Sequence, residues 1–141
     1  MTLKNFRLFA AVVLSFAAGS LLTARVGHAQ SKRVFELRTY HTFPGRLPAL
    51  QARFRDHTVA LFKRHGMTNI GYWTPQDAPT SENTLIYVIA HESREAAKKN
   101  WDGFRTDPEW QQVSKASEAD GKIVEKVESV YMDATDYSPI K

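Results

Sequence analysis

The chain has 141 residues, with 19 Lys and Arg against 15 Asp and Glu, 43% hydrophobic residues and no cysteine. That length suits one domain rather than two, and the absence of cysteine excludes a disulfide framework, so stability must come from a packed core. The surplus of basic residues does not argue for nucleic acid, because it is concentrated at the N-terminus.

Residues 1–29 read as a secretory signal peptide. Lys4 and Arg7 give a basic start, residues 8–18 are apolar apart from Ser15, and Gly27-His28-Ala29 places small residues where a signal peptidase cuts. A retained membrane anchor is the alternative, but the apolar run falls short of the roughly 20 residues a span needs, and Arg25 follows closely. There is no cysteine for a lipoprotein signal and no second arginine beside Arg7. Cleavage would remove Lys4, Arg7 and Arg25 and no acid, leaving 16 basic residues against 15 acidic. Residues 30–141 are therefore expected to form a nearly neutral domain in the periplasm or outside the cell. No nucleic-acid partner is expected, and membrane contact only through the leader before cleavage.

The first element is a strand over residues 34–41, closed by Phe43-Pro44-Gly45. Its residues alternate. Phe35, Leu37 and Thr39 share one face and look like ordinary core, while Glu36, Arg38 and Tyr40 share the other. Residues 46–65 read as a helix with Pro48 in its first turn. At 100° per residue, Leu47, Leu50, Phe54 and Leu61 form an inner stripe that also takes in His57, Thr58 and His65, with Arg53 outside it and Gly66 as a C-cap. A strand over 67–74 and a polar turn lead to residues 84–91, which are apolar on both faces as a central strand would be. Ser93 is a good cap for a helix from Arg94, with Ala97, Asn100, Trp101 and Phe104 inward. Asp107-Pro108-Glu109 opens a second helical stretch, and residues 122–132 form the last strand.

This order gives an α+β, ferredoxin-like β-α-β-β-α-β fold, a four-stranded antiparallel sheet with helices on one face. The other face would be left bare and apolar, which predicts a homodimer through packing of two sheets.

Several segments are similar to the NIPSNAP family: Phe35-Glu-Leu-Arg-Thr-Tyr40 with Pro44-Gly45, His65-Gly66 leading into Gly71-Tyr72-Trp73, Trp101 with Phe104, Asp107-Pro-Glu-Trp110, and the ending at residues 134–140. The resemblance covers essentially the whole chain after the leader. It implies a dimeric α+β barrel and brings no settled reaction, because that superfamily includes cofactor-free monooxygenases, haem enzymes and isomerases.

The candidate ligand-binding residues are Arg38, Tyr40, His41, His57, Trp73, His91, Asn100 and Trp101. Glu36 and Arg38, two apart on one strand, are either an anion or enolate site, with Arg38 as electrophile and Tyr40 or a histidine carrying the proton, or an ion pair at the dimer interface. The second is the more ordinary use of paired charges in a sheet. The four histidines after the leader could converge between sheet and helices. However, His57 and His65 lie eight residues apart, roughly 12 Å along a helix, too far to share an ion, so no metal and no cofactor are expected. The primary expectation is a small apolar or aromatic ligand, with cofactor-free chemistry as an extension. A non-enzymatic interaction protein and a haem-binding protein are the alternatives, and the sequence does not decide whether the protein is an enzyme.

Overall fold

In the computed structural model, which describes residues 33–141, the elements run β1 (Val34–Thr42), α1 (Leu47–Arg53), a π-helical turn (Phe54–Thr58), α2 (Val59–Arg64), β2 (Thr68–Trp73), a 3-10 turn (Thr80–Glu82), β3 (Thr84–His91), α3 (Arg94–Thr106), α4 (Pro108–Ser117) and β4 (Val124–Asp133). The leader expected over 1–29 lies outside the described residues. The strands form one antiparallel sheet in the order β2-β3-β1-β4, and the β-α-β-β-α-β architecture is as the pattern predicts.

The helices pack on the face that carries Leu85, Tyr87 and Ile89. Together with Leu50, Phe54, Leu61, Phe62, Trp101 and Phe104 these residues form the core. Tyr87 is its hub, with ring centroids 5.1 Å from Phe54, 5.4 Å from Tyr40 and Tyr72, and 5.9 Å from Phe62. Each such buried side chain contributes roughly 1.5–3 kcal/mol of transfer free energy before entropy is set against it.

The helix caps are local chemistry. The Ser93 hydroxyl accepts the Ala96 N–H at 3.0 Å, and the Asp107 carboxylate accepts the Glu109 N–H at 2.8 Å. Gly66 ends α2 at φ +78°, a conformation that disfavours a side chain. Gly103 does more than weaken the end of α3. A Cβ there would lie 3.0 Å from His65 Nδ1, so the glycine lets the end of α2 close on α3.

Three expectations are corrected here. The helix over 46–65 is not uniformly α. Residues 54–58 are π-helical, with the Val59 N–H bonded to the Phe54 carbonyl and the Thr58 hydroxyl donating 3.2 Å to the Arg53 carbonyl, both five residues back. A π turn advances less than 100° per residue, so Thr58 takes the buried position and His57 is turned out to solvent.

Arg53, expected outside, is 6% exposed. Its guanidinium lies 5.3 Å from the Trp110 ring centre, with Nη1 donating to Ser117 Oγ at 3.2 Å.

The faces of β1 are also reversed from the ordinary reading. Glu36, Arg38 and Tyr40 pair across to Ile89, Tyr87 and Leu85, so they face the helices. The Glu36–Arg38 pair therefore belongs to the helix-covered side rather than to a sheet-to-sheet interface. Phe35, Leu37 and Thr39 lie on the face without helices, called the bare face below, beside Val88 and Ile86 of β3 and Val130 and Met132 of β4; Phe35 is buried there and Leu37 half-buried. Val130 and Trp73 there are 54% and 53% exposed.

Candidate functional site

The helix-facing row of β1 meets α3 at a buried carboxylate. Glu36 is 1% exposed and its carboxylate takes its hydrogen bonds from side chains. Oε1 accepts from Arg38 Nη1 and from Ser129 Oγ, both at 2.7 Å. Oε2 accepts from the Trp101 indole N–H at 2.7 Å and from His91 Nε2 at 3.1 Å. Burial would push the Glu36 carboxyl up, but donation from His91, Ser129, Trp101 and Arg38 overrides it and holds the pKa at about 2. The group is an anion at any physiological pH and does not serve as a general acid there.

The donors are positioned in turn. Asn100, one residue before Trp101 on α3, donates from Nδ2 to the Gly66 carbonyl at 3.1 Å and meets His91 Nδ1 at 3.2 Å. With an amide donor on Nδ1, the imidazole accepts there and donates Nε2–H to Glu36. Both ring nitrogens of His91 are thus committed. Arg38 differs. Its side chain is 14% exposed, and only Nη1 is engaged at short range. Nη2 lies 3.5 Å from the Tyr40 hydroxyl. The guanidinium carbon sits 4.4 Å from the Trp101 ring centre and 5.5 Å from that of Tyr40, a sandwich of one cation and two aromatic walls. Its charge is held firmly: burial opposes it, but Tyr40, Tyr87 and Glu36 raise its pKa above the usual arginine value.

Access to Arg38 runs over the edge strand. Ser129, directly opposite Arg38 on β4, is exposed, and Val127, opposite Tyr40, is 42% exposed. Trp101 also lines a cleft of about 450 Å³, together with Arg94, Lys98, Arg105 and Tyr131.

Of the residues singled out by sequence, the fold therefore brings together Arg38, Tyr40, His91, Asn100 and Trp101. It separates His41, His57 and Trp73. His41 sits at the opposite end of β1 from Val34, the partner of His91, and on the bare face, 3.8 Å from Glu128. Trp73 pairs with Ile86 and is on the bare face too. His57 lines a cleft of about 640 Å³ between α1 and α4. His65 is tied to Asp107 at 2.7 Å, which with Arg64 keeps that carboxyl well below its usual range. The four histidines do not converge, and among the described residues no group of three or more His, Asp or Glu is arranged to hold a metal ion.

Two members of the site fall outside the candidate set, although the sequence does offer Tyr87 as an aromatic wall. Tyr87 is opposite Arg38 on β3, a pairing that takes the β1–β3 register as well as strand parity. Ser129 needed the β1–β4 register, which no sequence pattern supplies.

The NIPSNAP family profile matches residues 35–139. Among solved structures, a NIPSNAP family protein of unknown function from Agrobacterium tumefaciens superposes with a TM-score of 0.68 at 23% identity, covering 81% of this chain and 98% of that one. A NIPSNAP-like domain protein from Burkholderia xenovorans gives 0.67 at 17% identity, covering 77% and 90%. SnoaB from Streptomyces nogalater, described as a cofactor-independent oxygenase, gives 0.52 at 13% identity, covering 77% and 98%. No curated protein sequence matches the chain. The structural likenesses establish a shared fold, and the profile, spanning most of the sequence, establishes that this chain belongs to the NIPSNAP family.

Proposed function

We propose that this protein binds a small, mostly apolar or aromatic molecule against Arg38, Tyr40 and Trp101, as an exported homodimer. The observation that carries the reading is the asymmetry of the buried cluster. Glu36, His91 and Trp101 are 1%, 1% and 5% exposed and fully engaged, whereas Arg38 is held by them and still reaches solvent. A cation fixed between aromatic walls offers shape and charge to a ligand at low ordering cost. The groups able to meet a ligand, a guanidinium and a phenol, stabilise a developing anion. That capacity is what a cofactor-free reaction of an enolisable aromatic requires, and the fold shared with an oxygenase described as cofactor-independent supports the extension. A haem reading is less well supported, because the enclosed histidine, His91, has both nitrogens engaged.

Titrating the protein with the neutral aromatic probe 2-naphthamide and following tryptophan fluorescence tests the pocket. Arg38→Met should weaken binding about tenfold through loss of the stacked cation. His57→Ala, on the opposite side of the helix layer, should leave it unchanged. Equal effects of the two substitutions would remove the basis for this site. The interaction-protein reading draws on the tail, where Tyr137 and Ile140 are 85% and 50% exposed. Loss of a partner on deleting residues 134–141, with probe binding intact, would favour it.

A further inference from the structure

We infer that the ligand carries an anionic oxygen, a carboxylate or enolate, received by Arg38 Nε, the Tyr87 hydroxyl and the Tyr40 hydroxyl; this rests on the pocket reading above and specifies it. Two neighbouring donors on the helix-facing side of the sheet have no acceptor; the Thr42 hydroxyl, at the far end of β1, is also without one. Arg38 Nε and the Tyr87 hydroxyl are both buried and neither has an acceptor within ordinary hydrogen-bond distance, the polar neighbour of the Tyr87 hydroxyl being the Tyr40 phenol. They belong to directly paired residues, Arg38 on β1 and Tyr87 on β3, so they project from neighbouring positions on the same face. Buried donors are normally satisfied, and one left without a partner costs about 1–3 kcal/mol. Two such donors side by side, at the centre of an otherwise well-packed aromatic core, are what a site built for an acceptor looks like before it is filled.

The third donor completes the geometry. Tyr40 is one strand position of the same parity beyond Arg38, its ring edge-on to Tyr87 with centroids 5.4 Å apart and its hydroxyl 3.5 Å from Arg38 Nη2. Burial, with Tyr40 adding to it, raises the Tyr87 pKa well above its usual value, so at neutral pH Tyr87 is a donor and not a phenolate.

Glu36 does not pre-empt the site. It takes Nη1, at the end of the guanidinium away from Nε, and its own charge is met by three further donors, His91, Trp101 and Ser129. The positive charge of Arg38 is therefore not spent on Glu36 alone.

Two probes of one shape test this: 2-naphthoate and its neutral counterpart 2-naphthamide, titrated into the wild-type protein and into Tyr87→Phe. Tyr87→Phe keeps the ring and deletes a hydroxyl that has no partner within ordinary hydrogen-bond distance. It should therefore fold with an unchanged or higher Tm. The expected result is that wild type prefers 2-naphthoate by roughly ten- to a hundredfold, the range for hydrogen bonds to a charged group, and that Tyr87→Phe erases most of that preference without altering 2-naphthamide binding. Equal binding of the two probes by wild type overturns the anionic-oxygen inference while leaving the pocket standing. Failure of both probes to bind overturns the inference and the pocket together. A clear drop in Tm for Tyr87→Phe overturns the inference as well, because it would mean the hydroxyl has a structural partner.

Discussion

The two faces of β1 invert the usual arrangement. The side with an acid, a base and a phenol is the one enclosed by helices, and the side with Leu37 and Val130 carries no helix and is only partly covered. The enclosed polar face is tolerable because it is saturated. Glu36 accepts four hydrogen bonds, and removing its partners one at a time would leave charges stranded in low dielectric. The bare face needs no internal partners, since its alternative to water is another apolar surface. One face is therefore costly to alter by a single substitution, and the other is sensitive mainly to what it docks against.

The largest effect should come from Glu36→Ala. It leaves Arg38 and His91 without their shared acceptor, and a loss of about 3–5 kcal/mol is expected, a drop of some 12 °C or more in Tm for a domain of this size. A loss below about 1 kcal/mol by urea denaturation would mean that the polar face is not held by this carboxylate.

The acid limb is next. The Glu36 pKa falls from 4.5 to about 2 on folding, so its contribution is fully present above pH 4.5 and disappears as pH drops through about 2. The contribution is on the order of 3 kcal/mol at neutral pH. Urea midpoints measured at pH 7, 4 and 2.5 should trace the loss in wild type, and Glu36→Gln should flatten that limb. An identical pH profile for the variant would assign the acid sensitivity to other carboxylates.

The mildest expected effect on the fold itself is on the bare face. Val130, directly opposite Leu37 and 54% exposed, has little to lose within one chain. Val130→Asp should leave the thermal unfolding of the single chain nearly unchanged yet convert a dimer to a monomer in sedimentation. A wild-type protein that already sediments as a monomer would break the comparison, since the bare face would then have no second copy to explain it.

How much of this was legible in the sequence depended on which periodicity was at stake. The element order followed from turn residues and caps such as Ser93 and Asp107, which act through local chemistry. Trp101 and Asn100 followed from the α3 stripe, where 100° per residue holds. His57 did not, because the π turn breaks that rule with no sequence signature of its own. His41 and Trp73 are a failure of a different kind: both were grouped with residues of opposite strand parity. The choice of inward face for β1 was not readable either. Its apolar residues mark a surface that the single chain covers only in part, Phe35 being buried, and β3, apolar on both faces, could not arbitrate.

The π turn at residues 54–58 has a consequence for how this helix layer tolerates change. An α-helix is one rigid screw, so an altered length anywhere re-phases everything after it. Here the screw contains a slack thread. The segment before it, anchored by Leu47 and Leu50, and the segment after it, anchored by Leu61 and Phe62, each keep their own grip on the sheet. Deleting one residue within the turn would tighten it to ordinary α pitch and preserve both grips, whereas the same deletion inside α1 or α2 would rotate one set of anchors out of the core. Within residues 47–64 the turn is thus where the chain can change length and keep its phase.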